Sequence, residues 1–349
     1  MLFTHISMIQ KTVCTARCAD KSEQRQLSNK QQATSFQLHC RLGYCCINTE
    51  LRKKGVFTSR GMRKKTFREK GLSYVSELAL QNIKDVEAHL KWNQQNDIRL
   101  FRFSSGFFPW MSEYKINELP NYDQMLFEAQ RIGQKYFFLT DCPQRPTMHP
   151  DHFNVLASKN PRVVEKTIKE LNQHAETLDM FGLPAGYSNP INIHVNTTQG
   201  GKKESLQRFR ENFKYLSDSC QKRLVVENDD KPKQYTVEDL YEELYTKIDI
   251  PITFDYHHHR LNPGKLNEEK AIKLASKTIP SWKRQLVHYS SSRMLNEDKT
   301  SRSQAHADYI HERINTYDLY LDIELEAKAK EQSLLKYRKD YLQNETLYV

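Results

Sequence analysis

The chain has 349 residues, of which 38% are apolar and 28% charged, with a formal charge of +10. No apolar run approaches the roughly 18 residues of a membrane span, which excludes a membrane-embedded protein and leaves a soluble globular one. Seven cysteines, an odd number without a CxxC pair, exclude a secreted disulfide framework and suit an intracellular, reducing compartment such as cytoplasm or nucleus.

Residues 1–38 are rich in Lys, Gln, Ser and Thr and show neither strand nor helix periodicity, so they are expected to form a disordered leader. Lys11, Arg17, Lys21 and Arg25 would suit a targeting segment, but Asp20 and Glu23 argue against a transit peptide. Residues 39–349 are expected to form the folded domain. From Arg52 to Lys70 there are nine basic residues against one acidic, so this window alone carries +8. It reads either as a solvated loop or as a segment that grips phosphates.

From Arg41 onward, short apolar runs alternate with amphipathic segments of helical period. Strands are expected at roughly 41–47, 98–103, 145–149, 191–195, 223–227, 251–255, 284–289 and 320–325, with a helix after each. Alternation of this kind implies parallel strands joined by right-handed crossovers, and eight units fit a closed (β/α)8 TIM barrel in a single domain. No glycine-rich dinucleotide or P-loop motif occurs to favour an open doubly wound sheet.

Six of the expected strands finish on, or just before, a residue able to hold a metal ion: His149, His194, Glu227, Asp255, His288 and Glu326. In a parallel barrel all strands end around one mouth, where active sites are built. A linear series thereby becomes a ring. Its imidazoles and carboxylates suit Zn, Mn or Fe better than Ca. Glu227, midway in the series, is the candidate bridge between two cations, an arrangement that clamps the attacking and leaving oxygens of a phosphoryl displacement. His258, three residues beyond Asp255, extends the ligand set, whereas His257 and His259 need not share its role; His306, in SQAHADYI, reads as a further ligand, a phosphate contact or a surface histidine. His174 falls inside an amphipathic helix and receives no catalytic role. Phe107 and Trp110, just after the second strand, read either as aromatics that wedge or stack against bases or as packed core.

The segments RLGYCCIN (41–48), FRFSSGFFPW (101–110), MHPDHFNVLAS (148–158), NIHVN (192–196), RLVVENDD (223–230), FDYHHH (254–259), VHYSSSR (287–293) and LEAKAKE (325–331) occur in an order that resembles the ultraviolet damage endonucleases, relatives of endonuclease IV-type abasic-site nucleases. The resemblance implies a metal-dependent DNA repair endonuclease that cuts damaged double-stranded DNA 5′ to pyrimidine dimers, with abasic sites as a further substrate. It implies a monomer with no membrane partner and a cofactor of two or three Mn ions, with Zn, Co or Mg as substitutes. By resemblance, the metal ligands are His149, His194, Glu227, Asp255, His258, His288, His306 and Glu326, and Glu227, Asp255 and Glu326 are the catalytic carboxylates. Tyr44 and Asn48 are implied near the substrate, and His152 with Phe153 at the lesion.

Three departures stand out. Relatives commonly have Gln and an aromatic where this chain has His152 and Phe153. Many carry a lysine at the position of Leu286, two residues before His288, so the number of metals is open. Ser112 and Glu113 replace an SH pair. Two rival readings remain: a sugar isomerase on the same barrel, which the basic window and rim aromatics disfavour, and a damage-binding protein that has lost cleavage.

Overall fold

In a computed structural model, which describes residues 40–141 and 143–342, eight parallel strands close into a barrel in strict sequence order. The expected disordered leader at 1–38 lies outside the described residues. Chain order runs β1 (Cys40–Cys45), α1 (Thr49–Lys53), α2 (Lys64–Gln95), β2 (Leu100–Phe103), α3 (Tyr122–Gly133), β3 (Arg145–Met148) and α4 (Pro161–Met180). It continues through β4 (Ile191–Ile193), α5 (Lys202–Phe213), α6 (Asp218–Arg223), β5 (Leu224–Glu227), α7 (Val237–Leu240) and β6 (Ile252–Asp255). The last part comprises α8 (Tyr256–Leu261), α9 (Glu268–Ser276), β7 (Gln285–Tyr289), α10 (Arg293–Asn296), β8 (Leu321–Leu325) and α11 (Glu331–Tyr337).

All eight expected strands are present. The expectation of a helix after every strand needs one correction, since between β7 and β8 only the four-residue α10 forms and most of 297–320 is irregular. Ala307, Ile310 and Ile314 in that stretch follow at helical spacing and are buried, yet side chains take its backbone amides instead of a helix: Glu297 accepts from the Asp308 and Tyr309 amides and Ser291 from the His311 amide. α4 shows the opposite situation: Asn160 caps it by accepting from the Arg162 amide at 3.0 Å, Pro161 opens it, and Leu171, Ala175 and Leu178 form its buried stripe.

Residues two apart on a strand share a face, which sorts the barrel interior into layers. Nearest the N-terminal end, Asp322 binds both Arg41 and Arg145, at 2.6 and 2.7 Å. Leu100, Val225 and Leu286 form a small apolar cluster with Tyr187 and Ile279, separate from the main core outside the strands. Above it come Arg102, Glu227, His288 and Glu324, two residues further along the same strands. Leu286 therefore lies directly beneath the layer in which the ring of ligand-type side chains begins. Gly43 lets β1 approach β2, because a Cβ there would lie 2.5 Å from the Leu100 carbonyl oxygen.

Candidate metal centre

Glu227 ends β5 almost fully buried, and four imidazoles surround its carboxylate. His288 Nδ1 lies 3.0 Å from Oε2, His149 Nε2 3.3 Å and His194 Nε2 3.6 Å, while His258 Nδ1 lies 3.1 Å from Oε1. These rings come from β7, from just beyond β3 and β4, and from the first turn of α8, so the barrel closure itself brings them together. Asn192, two residues before His194, donates to Glu227 Oε2.

Neighbouring groups fix the orientation of several of these rings. His194 Nδ1 is 2.9 Å from Asp229 Oδ1, and His258 Nδ1 is 3.0 Å from the Asn228 carbonyl. Asp255 caps α8 by accepting from the His258 amide at 2.6 Å, which explains why a ligand-type residue three positions on faces the same centre. Asn228 locks β5 to β6, donating to the Asp255 carbonyl at 3.0 Å and accepting from its amide at 2.9 Å. On the far side, Glu326 Oε1 lies 2.6 Å from Arg102 and its Oε2 3.9 Å from His306 Nε2.

Among the described residues, two sets of donor atoms converge closely enough to hold a cation: His149, His194 and Glu227, and Glu227, Asp255 and His288. Both contain Glu227. Asp255 Oδ2 and His306 Nδ1 are buried without a hydrogen-bond partner, a costly state unless something else satisfies them. Mixed nitrogen and oxygen donors with orphaned lone pairs fit one or two divalent cations of the Zn or Mn type.

The electrostatics are those of opposed buried charges. Burial alone would raise the Glu227 carboxyl, but the His288 and His194 imidazoles hold it well below the usual range. Burial would lower His288, yet the Glu227 carboxylate pushes it up to about 10. Burial raises Asp255, against the opposing pull of His258. Burial lowers His149.

The other expected site residues divide into exposed and buried groups. His152 and Phe153 protrude on the loop after β3, Phe153 with 74% of its surface exposed and the two ring centroids 4.1 Å apart. Phe107, in contrast, is 1% exposed and packs against Phe103 and Phe181, so its ring belongs to the core and cannot stack on a base. Trp110 is half-buried; its indole donates to the Met62 carbonyl at 3.0 Å and stacks on Phe67, tying the β2 loop to the basic segment. Tyr44 and Asn48 are fully buried, with Asn48 donating to the Tyr44 hydroxyl and that hydroxyl donating to Asn93. Eight of the nine basic side chains in 52–70 are exposed; Arg60 is half-buried and bound to Asp85 at 2.7 Å.

Sequence reasoning missed Arg102, Glu324 and Asn192, all buried in the barrel interior. The alternation in LDIELE carries a signal, since it puts Asp322, Glu324 and Glu326 on one face. Arg102, between two phenylalanines in FRF, carries no comparable signal.

The family model described as UV-endonuclease UvdE matches residues 40–347. A UV-damage endonuclease of Schizosaccharomyces pombe is 36% identical over 316 residues, covering 87% of this chain and 51% of that protein. This chain thus spans about half the length of that relative. A putative UV-damage endonuclease of Acanthamoeba polyphaga mimivirus is 32% identical over 317 residues, covering 88% of this chain and 92% of that protein. Among solved structures, the crystal structure of SacUVDE superposes with a TM-score of 0.73 at 31% identity, covering 86% of this chain and 97% of that one. Among the described residues, no helix is long and apolar enough to cross a membrane.

Proposed function

The chain belongs to the UV-endonuclease UvdE family, and from that premise we propose that it is a metal-dependent endonuclease that incises double-stranded DNA 5′ to ultraviolet photoproducts and at abasic sites. It acts as a monomer in a reducing, intracellular compartment, with manganese as the working cation. The observation that carries this reading is the convergence of two cation-sized donor sets on the Glu227 carboxylate.

His149, His194 and Glu227 would hold one cation and Glu227, Asp255 and His288 a second, with His258, His306 and Glu326 completing the surround. Bound there, divalent cations supply Lewis acidity toward a phosphate and a water of lowered pKa. Glu227, Asp255 and Glu326 are the carboxylates closest to that chemistry. Glu227 bridges the two donor sets, Asp255 turns His258 inward through its cap, and Glu326 presents its second oxygen toward His306. Asp229 and the Asn228 carbonyl keep the His194 and His258 rings from turning away.

DNA would lie across the mouth. The exposed His152–Phe153 pair is suited to press into a duplex where damage has weakened stacking, since a damaged step costs less to open than an intact one. The exposed basic residues between Arg52 and Lys70 would grip the backbone without regard to sequence. Tyr44 and Asn48 would act from behind this surface, as a buried support for the loop after β1.

The test is nicking of supercoiled plasmid, irradiated or untreated, with manganese or with EDTA. We expect nicking of irradiated plasmid with manganese, none with EDTA, and a loss of at least a hundredfold in Glu227→Gln. Irradiated plasmid left intact by the manganese-loaded wild type rejects the nuclease reading, and retention of that plasmid without nicking would indicate a damage-binding protein instead.

A further inference from the structure

Among the described residues, Glu324 is the one fully buried carboxylate of the upper barrel interior that belongs to neither donor set. It lies beside His288 in the β7–β8 register, with its Oε2 3.4 Å from His288 Nε2. The same oxygen accepts from Arg102 Nε at 2.6 Å, and its Oε1 accepts from the Thr147 hydroxyl. Arg102 reaches further, with Nη1 2.6 Å from Glu326 Oε1 and Nη2 2.7 Å from His288 Nε2. The His288 ring therefore spans two carboxylates, Glu227 on its Nδ1 side and Glu324 on its Nε2 side.

A neutral imidazole can lend a lone pair from Nδ1 only while its single proton sits on Nε2, and that N–H then needs an acceptor. Among the described residues, the acceptor beside Nε2 is Glu324; Arg102, the other neighbour, can only donate. We propose that Glu324 is a positioning residue of the centre: it receives the His288 Nε2–H and so aims the Nδ1 lone pair at the cation shared with Glu227 and Asp255. Arg102 acts as its counter-charge, bound to Glu324 at 2.6 Å. When the centre is loaded, Arg102 keeps Glu324 and Glu326 and releases Nε2, because two donors cannot share one edge. A carboxylate behind a ligating histidine commonly raises metal affinity 10- to 100-fold.

This inference rests on the reading of the ring as a cation centre, and the experiment keeps the two apart. Equilibrium dialysis with Mn2+ on the full chain compares wild type with Glu324→Gln, with Glu324→Asp as the conservative variant. Imidazole 15N spectra of the Zn2+-loaded wild type, with His288 assigned by His288→Gln, report the tautomer without depending on how any Glu324 variant folds. The expected results are an Nε2–H tautomer at His288, Mn2+ binding weakened at least tenfold in Glu324→Gln, and partial recovery in Glu324→Asp. A loaded His288 with its proton on Nδ1, or unchanged Mn2+ affinity in Glu324→Gln, overturns the role of Glu324 while leaving the centre itself standing. If the wild type takes up no Mn2+, the cation reading fails and this inference falls with it.

Discussion

His174 and Glu227 show two ways of keeping an ionisable group inside this protein. Glu227 is buried among partners of opposite charge, so removing its charge would leave four imidazoles facing one another. His174 is buried with neither ring nitrogen hydrogen-bonded, and desolvation pushes it down to about 4. Its folded pKa thus lies below the ordinary 6.5, so between those values the unfolded chain binds the extra proton. Its contribution to stability is complete above pH 6.5 and is lost as pH falls toward 4, by up to about 3 kcal/mol at 1.36 kcal/mol per unit. His174→Leu should therefore flatten the decline of stability between pH 6.5 and 4 while changing little at pH 8, as measured by urea unfolding across that range. An equal acid loss in the variant would show that His174 is not the group responsible. His89, also lowered to about 4 by burial, predicts a residual slope in the same window. The sequence pointed to both outcomes for histidine: those at strand ends met at one carboxylate, and the one on the inner stripe of α4 became core. It pointed to Glu324 only through the alternation in LDIELE and not at all to Arg102, because a lone charged residue inside a short apolar strand looks the same whether it faces a helix or the barrel interior.

At the scale of elements, strand positions were legible because each apolar run is bounded by loop-type residues and β-branched residues recur within it. Helix–helix fit was not, because it depends on backbone approaches that leave no periodic trace. Gly133, at the end of α3, is such a case: a Cβ added there would lie 1.9 Å from the Phe181 carbonyl oxygen, just beyond α4. Backbone cannot swing aside as a flexible side chain does, so Gly133→Ala must push α3 from the α4 terminus and should cost about 1–3 kcal/mol. Gly61→Ala, with nothing within 4 Å of the added methyl, is the control and should unfold with the wild type. Calorimetry of the two variants checks this, and a Gly133→Ala midpoint equal to that of Gly61→Ala would mean that the two elements are free to separate. Gly71 shapes the same region differently. Its φ of +61° breaks the 32-residue α2 after its first turns, setting the basic stretch at an angle to the helix that packs on the barrel.

For the whole molecule, +8 of the net +10 lies in one segment beside the barrel mouth. The loops after β1 and β2 emerge at the C-terminal ends of the strands, the end where the histidines and carboxylates converge. The +8 window begins in the first of these loops, and Trp110 in the second fastens it through Met62 and Phe67. Arg63, Lys64 and Lys65 are exposed there, and Lys65 pairs only loosely with Glu69, at 3.9 Å. Exposed like charges of this kind repel one another unless a polyanion lies over them, and counterion release makes that association steeply salt-dependent. Each phosphate contact contributes roughly 0.9 to the slope of log affinity against log salt on duplex DNA. Replacing Arg63, Lys64 and Lys65 together by Gln should therefore reduce that slope by about 2–3, and weaken binding to irradiated and intact duplex by a similar factor. Fluorescence anisotropy over a salt series measures both quantities, with Lys273→Gln on α9 as a control outside the basic window. If the slope of the triple variant matches wild type, the basic segment is a solvated arm and the DNA grip must be sought elsewhere around the mouth. If affinity for irradiated duplex alone falls, the segment reads damage, and sequence-independent holding belongs to other residues.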